Sequence, residues 1–414
     1  LVVYRIGGHI TTPGVNPLAL RAAFESQQGT IFALYDLFAG GNFARATIFA
    51  LGIMPYISAS IIIQLLQAVI PYFEKLAKEG EEGRKKITQY TRYGTVALAA
   101  VQSFGIAFYL ESLNVGGAAV VPNPGFFFRL LTMITMVAGT IFVMWLGEQI
   151  TERGIGNGIS LIIMIGIVAR YPADFLDTWR ALRLGTLSPL RLVILLVIMV
   201  VVTASVILIT QGQRRIPVQY AKRIVGRRVY GGKAQYIPLR VNTAGVIPII
   251  FAQSIMMFPG TIATFFRDNE FMSSIMSIFS PSSWIYMSLY AIIIIFFTYF
   301  YTAIVLNPVD LAENMQKYGG FIPGIRPGKR TSEYIDRILT RVTLPGAIYL
   351  AFIAVLPDLM ILRGKLPATV YFGGTSLLIV VGVMLDTLQQ IETHLLMRHY
   401  DGFMKKGHMR GRRF

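Results

Sequence analysis

Residues 47–67 read Thr47-Ile-Phe-Ala-Leu-Gly-Ile-Met-Pro-Tyr-Ile-Ser-Ala-Ser-Ile-Ile-Ile-Gln-Leu-Leu-Gln67, and this stretch decides the fold. It is long enough to cross a bilayer, because a span needs about 20 mostly apolar residues. It also contains Pro55 near its start and serines and glutamines further along. Such polar groups suit a helix that lines a cavity better than one that faces lipid on all sides. The stretch therefore predicts a pore-lining span.

The segment just before this span has a mixed character. Apolar residues fill 31–34 and 37–39, but Asp36, Gly40, Gly41 and Arg45 interrupt them. The segment is too polar and too broken to span a membrane, and too apolar to be an ordinary aqueous loop. These features predict a short re-entrant segment that enters the membrane without crossing it.

The composition indicates a polytopic membrane protein. The chain has 414 residues, of which 54% are hydrophobic and only 14% are charged. It has no cysteine, which excludes disulfides and thiolate metal sites. The formal net charge of +17 comes from basic residues that fall between the apolar runs. The positive-inside rule accounts for most of this excess, and a basic docking surface accounts for the rest.

The apolar runs predict an all-α protein with ten spans. Residues 1–6 are interpreted as the end of a first span whose earlier part is absent. The other nine spans are predicted at about 47–70, 93–111, 129–149, 159–169, 190–210, 242–264, 284–306, 342–361 and 368–391. Two sets of five spans with opposite orientation suggest an inverted repeat with a site at the interface.

The distribution of basic residues predicts the orientation. The segments 74–92, 151–158, 211–241, 307–341 and 392–414 carry 27 of the 38 Lys and Arg residues. By the positive-inside rule these segments face the cytoplasm. Both ends of the complete protein are then expected on the cytoplasmic side.

Ionisable residues offer little support for catalysis or ion coupling. Glu148, Asp310, Asp386 and Glu392 lie near the cytoplasmic ends of spans, and histidines 9, 394, 399 and 408 show no metal-ligand spacing. A secondary transporter also uses inverted repeats, but it would need a compact polar site at the midplane. An intramembrane enzyme would need a catalytic constellation, and the sequence shows none. No cofactor is expected.

Five motifs carry a family resemblance. They are Ala50–Gln64, Trp145–Ser160, Val246–Pro248, Phe321–Gly328 and Tyr371–Ile379. In this order the motifs resemble the SecY family, the protein-conducting channels of the bacterial Sec translocon. The resemblance implies two pseudo-symmetric five-helix halves in the bacterial inner membrane. It implies passage of unfolded secretory proteins and lateral release of membrane segments. The implied partners are the SecE and SecG subunits, the SecA motor, the ribosome, signal peptides, secretory preproteins and membrane lipids.

The resemblance also implies roles for particular residues. An aliphatic pore ring corresponds to Ile53, Ile57, Ile163, Ile250 and Ile379, while a further ring position falls on Ser254, which is polar. The plug segment corresponds to 31–45, with Phe38, Gly40 and Gly41. The lateral gate, where the halves part towards lipid, corresponds to Ser58, Phe258 and Thr375. Partner docking corresponds to Arg326, Arg227, Arg228, Lys329 and Arg330. The glycine pair beside Asp36 and Arg45 predicts a plug that packs weakly and reversibly.

A simpler interpretation exists for each of these positions. A single isoleucine in a span commonly faces lipid or core, and Arg326 alone is an ordinary positive-inside charge. The prolines and glycines around Arg326 favour a defined loop tip instead.

The domain organisation follows from the motifs. The N-terminal half covers 1–172, with the stub of span one, the plug segment and spans two to five. An external loop and span six cover 173–210. A cytoplasmic docking loop covers 211–241. Spans seven to ten cover 242–391 and include the cytoplasmic loop 307–341, and a basic cytoplasmic tail covers 392–414.

Overall fold

The computed structural model describes residues 1–25, 36, 39–115, 118–220, 223–225, 228–230, 234–263, 283–364 and 374–406. Its helices are α1 (Val2–Gly7), α2 (Pro17–Glu25), α3 (Met54–Val69), α4 (Pro71–Lys78), α5 (Glu81–Ser112), α6 (Phe126–Arg153), α7 (Gly158–Val168), α8 (Tyr171–Arg183), α9 (Pro189–Gln211), α10 (Ile247–Ala263), α11 (Trp284–Val305), α12 (Pro308–Lys317), α13 (Lys329–Gly364) and α14 (Gly374–Lys406). Its strands are β1 (Asn114–Val115), β2 (Ala118–Ala119), β3 (Gln213–Tyr220), β4 (Arg223–Val225), β5 (Arg228–Tyr230), β6 (Ala234–Arg240) and β7 (Gly320–Phe321).

The helices agree with the predicted polytopic fold. In the described part of the chain, 7 helices are long and apolar enough to cross a membrane, or up to 8 if a bent pair counts as one span. Each span predicted after residues 1–6 overlaps a helix of this structure. Among these helices α9 exposes the most apolar surface, because only 17% of the residues in its most apolar stretch are buried inside the protein.

The second span begins later than its hydropathy predicts. Residues 39–53 form consecutive turns, and the helix α3 starts only at Met54. Gly52 adopts a φ of +56°, a left-handed conformation that interrupts a helix, and Pro55 occupies the first turn, where its missing N–H costs nothing. At its other end α3 meets α4 at a bend of 99°. Ile70 is extended at this bend, as expected for a residue before proline.

Three predicted loops are largely helical, which corrects the sequence interpretation. Residues 74–92 form most of α4 and the start of α5, and residues 307–341 contain α12, β7 and the start of α13. The segment after residue 172, predicted as an external loop, continues as α8 after only two residues of turn beyond α7. Hydropathy locates the apolar part of a helix, but charged residues extend the same helix into water without interrupting its hydrogen bonds.

The described residues of the segments 211–241 and 307–341 meet in one unit that has its own apolar core. The strands β3 and β6 form an antiparallel hairpin, and β7 adds to β3 through the pairs Gln219↔Phe321 and Tyr220↔Gly320. A separate apolar core lies beneath them. Its buried members are Ile216, Val218, Leu239, Met315, Ile322, Ile335 and Leu339. Two stretches that look like independent basic loops in the sequence are therefore one folded unit.

Candidate channel constriction and gate

The five isoleucines of the predicted ring lie in one apolar cluster. Four of them lie on the helices α3, α7, α10 and α14, and Ile53 directly precedes α3. The helix α3 packs against α10, and α7 packs against α14. The side chains belong to Ile53, Ile57, Ile163, Ile250 and Ile379. Each is at most 5% exposed. Buried branched aliphatic side chains exclude water, so these five have the chemistry that an apolar constriction needs.

Ser254 shares this region but makes a polar contact. It is 5% exposed, and its Oγ lies 3.3 Å from the Oγ of Ser58 on α3. The two serines are 196 residues apart in the chain and belong to different halves. A neutral hydrogen bond contributes only about 0.5–1.5 kcal/mol net. The contact therefore orients α3 against α10 without holding them together strongly.

The other two residues of the predicted lateral gate belong to the helices α10 and α14. Phe258 belongs to α10, but its side chain lies outside the described residues. Thr375 is buried in the first turn of α14. Among the three predicted gate residues, Ser58 is the one for which the structure supplies a contact between the halves.

The plug segment is described in part. Phe38 lies outside the described residues, while Gly40 and Gly41 adopt φ values of +69° and +82°. A Cβ on Gly40 would lie 2.7 Å from the Cα of Gly166 on α7, which is closer than real carbon contacts allow. Glycine at position 40 therefore lets the backbone of the plug segment pack directly against the backbone of α7. The sequence predicted weak packing of the plug segment, whereas the structure shows close packing at Gly40.

Residues 1–12 anchor the plug segment, a role that the sequence interpretation missed. Hydrogen bonds join residues 1–12 both to the plug segment and to the residues just after it, and a β-bridge joins Thr11 and Thr47. They include Tyr4 Oη to Ala39 O at 3.1 Å, Arg5 Nη1 to Gly40 O at 3.1 Å, Asn42 Nδ2 to Tyr4 Oη at 3.0 Å, Thr12 N to Ala46 O at 2.8 Å and Ile48 N to Ile10 O at 3.0 Å. No local pattern marks these pairs, because each joins positions about 35 residues apart.

Glu148 has a partner that the sequence did not suggest. Arg92 on α5 donates to it twice, from Nε at 3.0 Å and from Nη2 at 2.7 Å. These two hydrogen bonds join α5 to α6, so Glu148 has a structural role.

Of the predicted docking residues, Arg326, Lys329 and Arg330 lie in the segment 307–341, which joins the unit built from β3, β6 and β7. Arg326 is exposed in the loop between β7 and α13, and its carbonyl oxygen accepts from Thr331 Oγ1 at 2.9 Å. Gly324 and Gly328 adopt φ values of +83° and +99°, so they shape the loop on either side of Arg326. Four further residues belong to the predicted set. Lys329 and Arg330 are exposed in the first turn of α13, and the side chain of Arg228 on β5 lies outside the described residues, as does the whole of Arg227.

The chain has relatives among known proteins. The family model described as SecY matches residues 47–388. The chain belongs to the SecY family. The protein translocase subunit SecY of Escherichia coli (strain K12) is 50% identical over 414 residues, covering 99% of this chain and 93% of that protein.

Solved structures agree on the SecY-type fold. A structure titled as that of a protein-conducting channel has a TM-score of 0.68 at 19% identity, covering 95% of this chain and 89% of the other. Sec61 in the canine ribosome–channel complex from the endoplasmic reticulum has a TM-score of 0.58, with the same identity and coverage. The predictions of a SecY-type channel fold, a translocase subunit in a membrane and a chain that is not an enzyme are confirmed by these relatives.

Proposed function

We propose that this SecY-family chain forms the pore through which unfolded secretory proteins cross the bacterial inner membrane. One observation supports the proposal: the five isoleucines are buried in the apolar core of the helices, and α3 and α10, which belong to different halves, are joined by the Ser58–Ser254 contact. An apolar constriction gates ions by dewetting. Its uncharged side chains also fit a passing peptide of any sequence without binding it.

The contact between α3 and α10 serves as the lateral gate. Apolar segments of a substrate leave through it into the lipid when the two helices part. Because the contact is one neutral hydrogen bond with apolar packing, it can open and close repeatedly. The plug segment, resting on α7, covers the constriction from the external side.

The work of transport comes from partners, since the chain does no chemistry. The body built from β3, β6 and β7 presents basic residues of 211–241 and 307–341 to the SecA motor or the ribosome. The relation to Sec61, solved in a ribosome–channel complex, supports the second of these partners. The exposed apolar surfaces of the spans receive the SecE and SecG subunits and lipids, and the basic segment 392–414 faces the cytoplasm.

Locking the gate tests this function. We expect a Ser58→Cys/Ser254→Cys pair to form a disulfide on oxidation, because the two Oγ atoms are 3.3 Å apart and a small side-chain rotation brings sulfurs at these positions to the S–S bond length of about 2.05 Å. The oxidised channel should stop releasing apolar segments into lipid and should recover after reduction. The measurement is insertion of a membrane-protein precursor into reconstituted vesicles. Normal insertion through a fully oxidised channel would mean that the gate lies elsewhere.

A matched control is available next to the gate. A Cβ on Gly94 of α5 would lie 3.4 Å from the Cβ of Ala59 on α3. An Ala59→Cys/Gly94→Cys pair should therefore also form a disulfide, but within one half of the channel. Its oxidation is expected to leave insertion unchanged, which separates closure of the gate from general damage by oxidation.

The orientation has its own test. The chain contains no cysteine, so single cysteines report their surroundings without background. Lys329→Cys is expected to react with a membrane-impermeant thiol reagent only from the cytoplasmic side. Asn114→Cys is expected to react only from outside. If the impermeant reagent labels Lys329→Cys when added outside intact cells, the proposed topology is wrong.

A further inference from the structure

An ion pair joins the plug segment to the external end of the fifth span. Asp36 Oδ2 lies 3.0 Å from Arg170 Nη1, and the two side chains are 9% and 34% exposed. The residues are 134 positions apart in the chain. Asp36 is therefore a buried carboxylate whose charge is balanced from a different element.

The carboxylate is oriented before it meets Arg170. Its other oxygen, Oδ1, accepts from the backbone N–H of Ala44 at 2.8 Å, and its carbonyl oxygen accepts from Gly41 N at 2.9 Å. These bonds make Asp36 part of the plug stem, which we define as Asp36 and residues 39–46. A carboxylate held in this way loses little additional side-chain freedom when it pairs.

Arg170 is equally well positioned on the other side. It lies in the two-residue turn between α7 and α8, where its N–H donates to Ile167 O at 3.1 Å and its carbonyl accepts from Asp174 N at 3.0 Å. Gly166, four residues earlier, is the residue on which Gly40 rests. The stem therefore lies on Gly166 and is bound at Arg170.

We propose that the Asp36–Arg170 ion pair holds the plug stem on α7 in the resting channel and must break before the stem can leave. The inference rests on the proposed channel function and adds the residues that set how easily the resting state opens. A pair that is partly buried suits this role. Removing one partner leaves the other charge uncompensated, whereas the intact pair is reformed each time the stem returns.

The test measures ion leak through the resting channel. The full channel, with its partner subunits, is reconstituted into planar bilayers without substrate. Asp36→Asn keeps the acceptor for Ala44 but removes the charge, and Arg170→Gln removes the other partner. Each is expected to raise the open probability about 5–150-fold, the usual range for coupling between two states. The double variant should leak no more than either single variant, because one interaction is lost in all three.

Two controls separate the pair from general loosening. Arg170→Lys should keep the leak near the wild-type level, because one N–O contact joins the pair and an ammonium group can make it. Glu111→Gln breaks the Arg129–Glu111 pair between α5 and α6, whose side chains are 30% and 9% exposed. This matched variant should not leak.

The outcomes are distinct. Unchanged leak in Asp36→Asn, or equal leak in Glu111→Gln, would overturn the proposed role of the pair. Higher leak in Asp36→Asn and Arg170→Gln, with normal translocation of a secretory precursor, would support it. Failure of the wild-type channel to translocate that precursor would overturn the proposed function itself.

Discussion

Replacing Ile57 and Ile250 together with Ser is expected to make the resting channel leak ions continuously. Both side chains are buried in the cluster where α3 and α10 meet, at 4% and 5% exposure. Hydroxyl groups at these positions would hold water in a constriction that closes only while its walls are apolar. The measurement is ion conductance of the reconstituted channel in the absence of substrate. Leucine or methionine at the same positions should keep the channel closed, because the walls remain apolar.

This substitution needs a control for lost stability. Truncating a buried aliphatic side chain typically costs about 2–5 kcal/mol. Ile106 on α5 and Ile294 on α11 belong to the same apolar cluster and are 8% and 0% exposed. The variant Ile106→Ser/Ile294→Ser should therefore lose comparable stability. We expect it not to leak, because the ring is proposed at other positions. Equal conductance in the two double variants would show that Ile57 and Ile250 form no seal.

Export driven by a motor is expected to fail almost completely in Arg326→Glu. The guanidinium lies exposed on a loop shaped by Gly324 and Gly328, so it can present several donors to an acidic or carbonyl-rich partner surface. Loss of one member of a desolvated charge pair typically costs about 2–5 kcal/mol in binding. Arg326→Lys should already impair export, because lysine keeps the charge but loses the planar fork. The measurement is SecA-driven translocation of a secretory precursor into vesicles.

A second exposed arginine provides the comparison. Arg337 lies on α13, which follows this loop, and it is also exposed. Arg337→Glu makes the same change in net charge and should export at a near-normal rate. Ion leak should not change in either variant, because neither residue belongs to the proposed ring or to the plug segment. Normal export by Arg326→Glu would mean that Arg326 is only a positive-inside charge and does not bind the motor.

Much of the fold could be predicted because its signals are local. The thickness of a bilayer sets the length of an apolar run, and the location of Lys and Arg indicates which side of the membrane a segment faces. Helix boundaries were less predictable. The helix α5 begins at Glu81, where the sequence is charged, and α3 begins at Met54, well inside an apolar run. In both cases hydropathy reports on the surroundings of a residue, whereas hydrogen bonding determines its conformation.

The sequence by itself therefore determined the membrane class, the number and order of the spans and, through its motifs, the family and the residues worth examining. Only the tertiary structure decided which of these residues meet. It pairs Ser58 with Ser254, joins β3 to β7 and places Arg170 against Asp36. These partners lie far apart in the chain, and no periodicity connects them. Such contacts depend on how whole helices pack, and packing is settled by the shapes of all the side chains together.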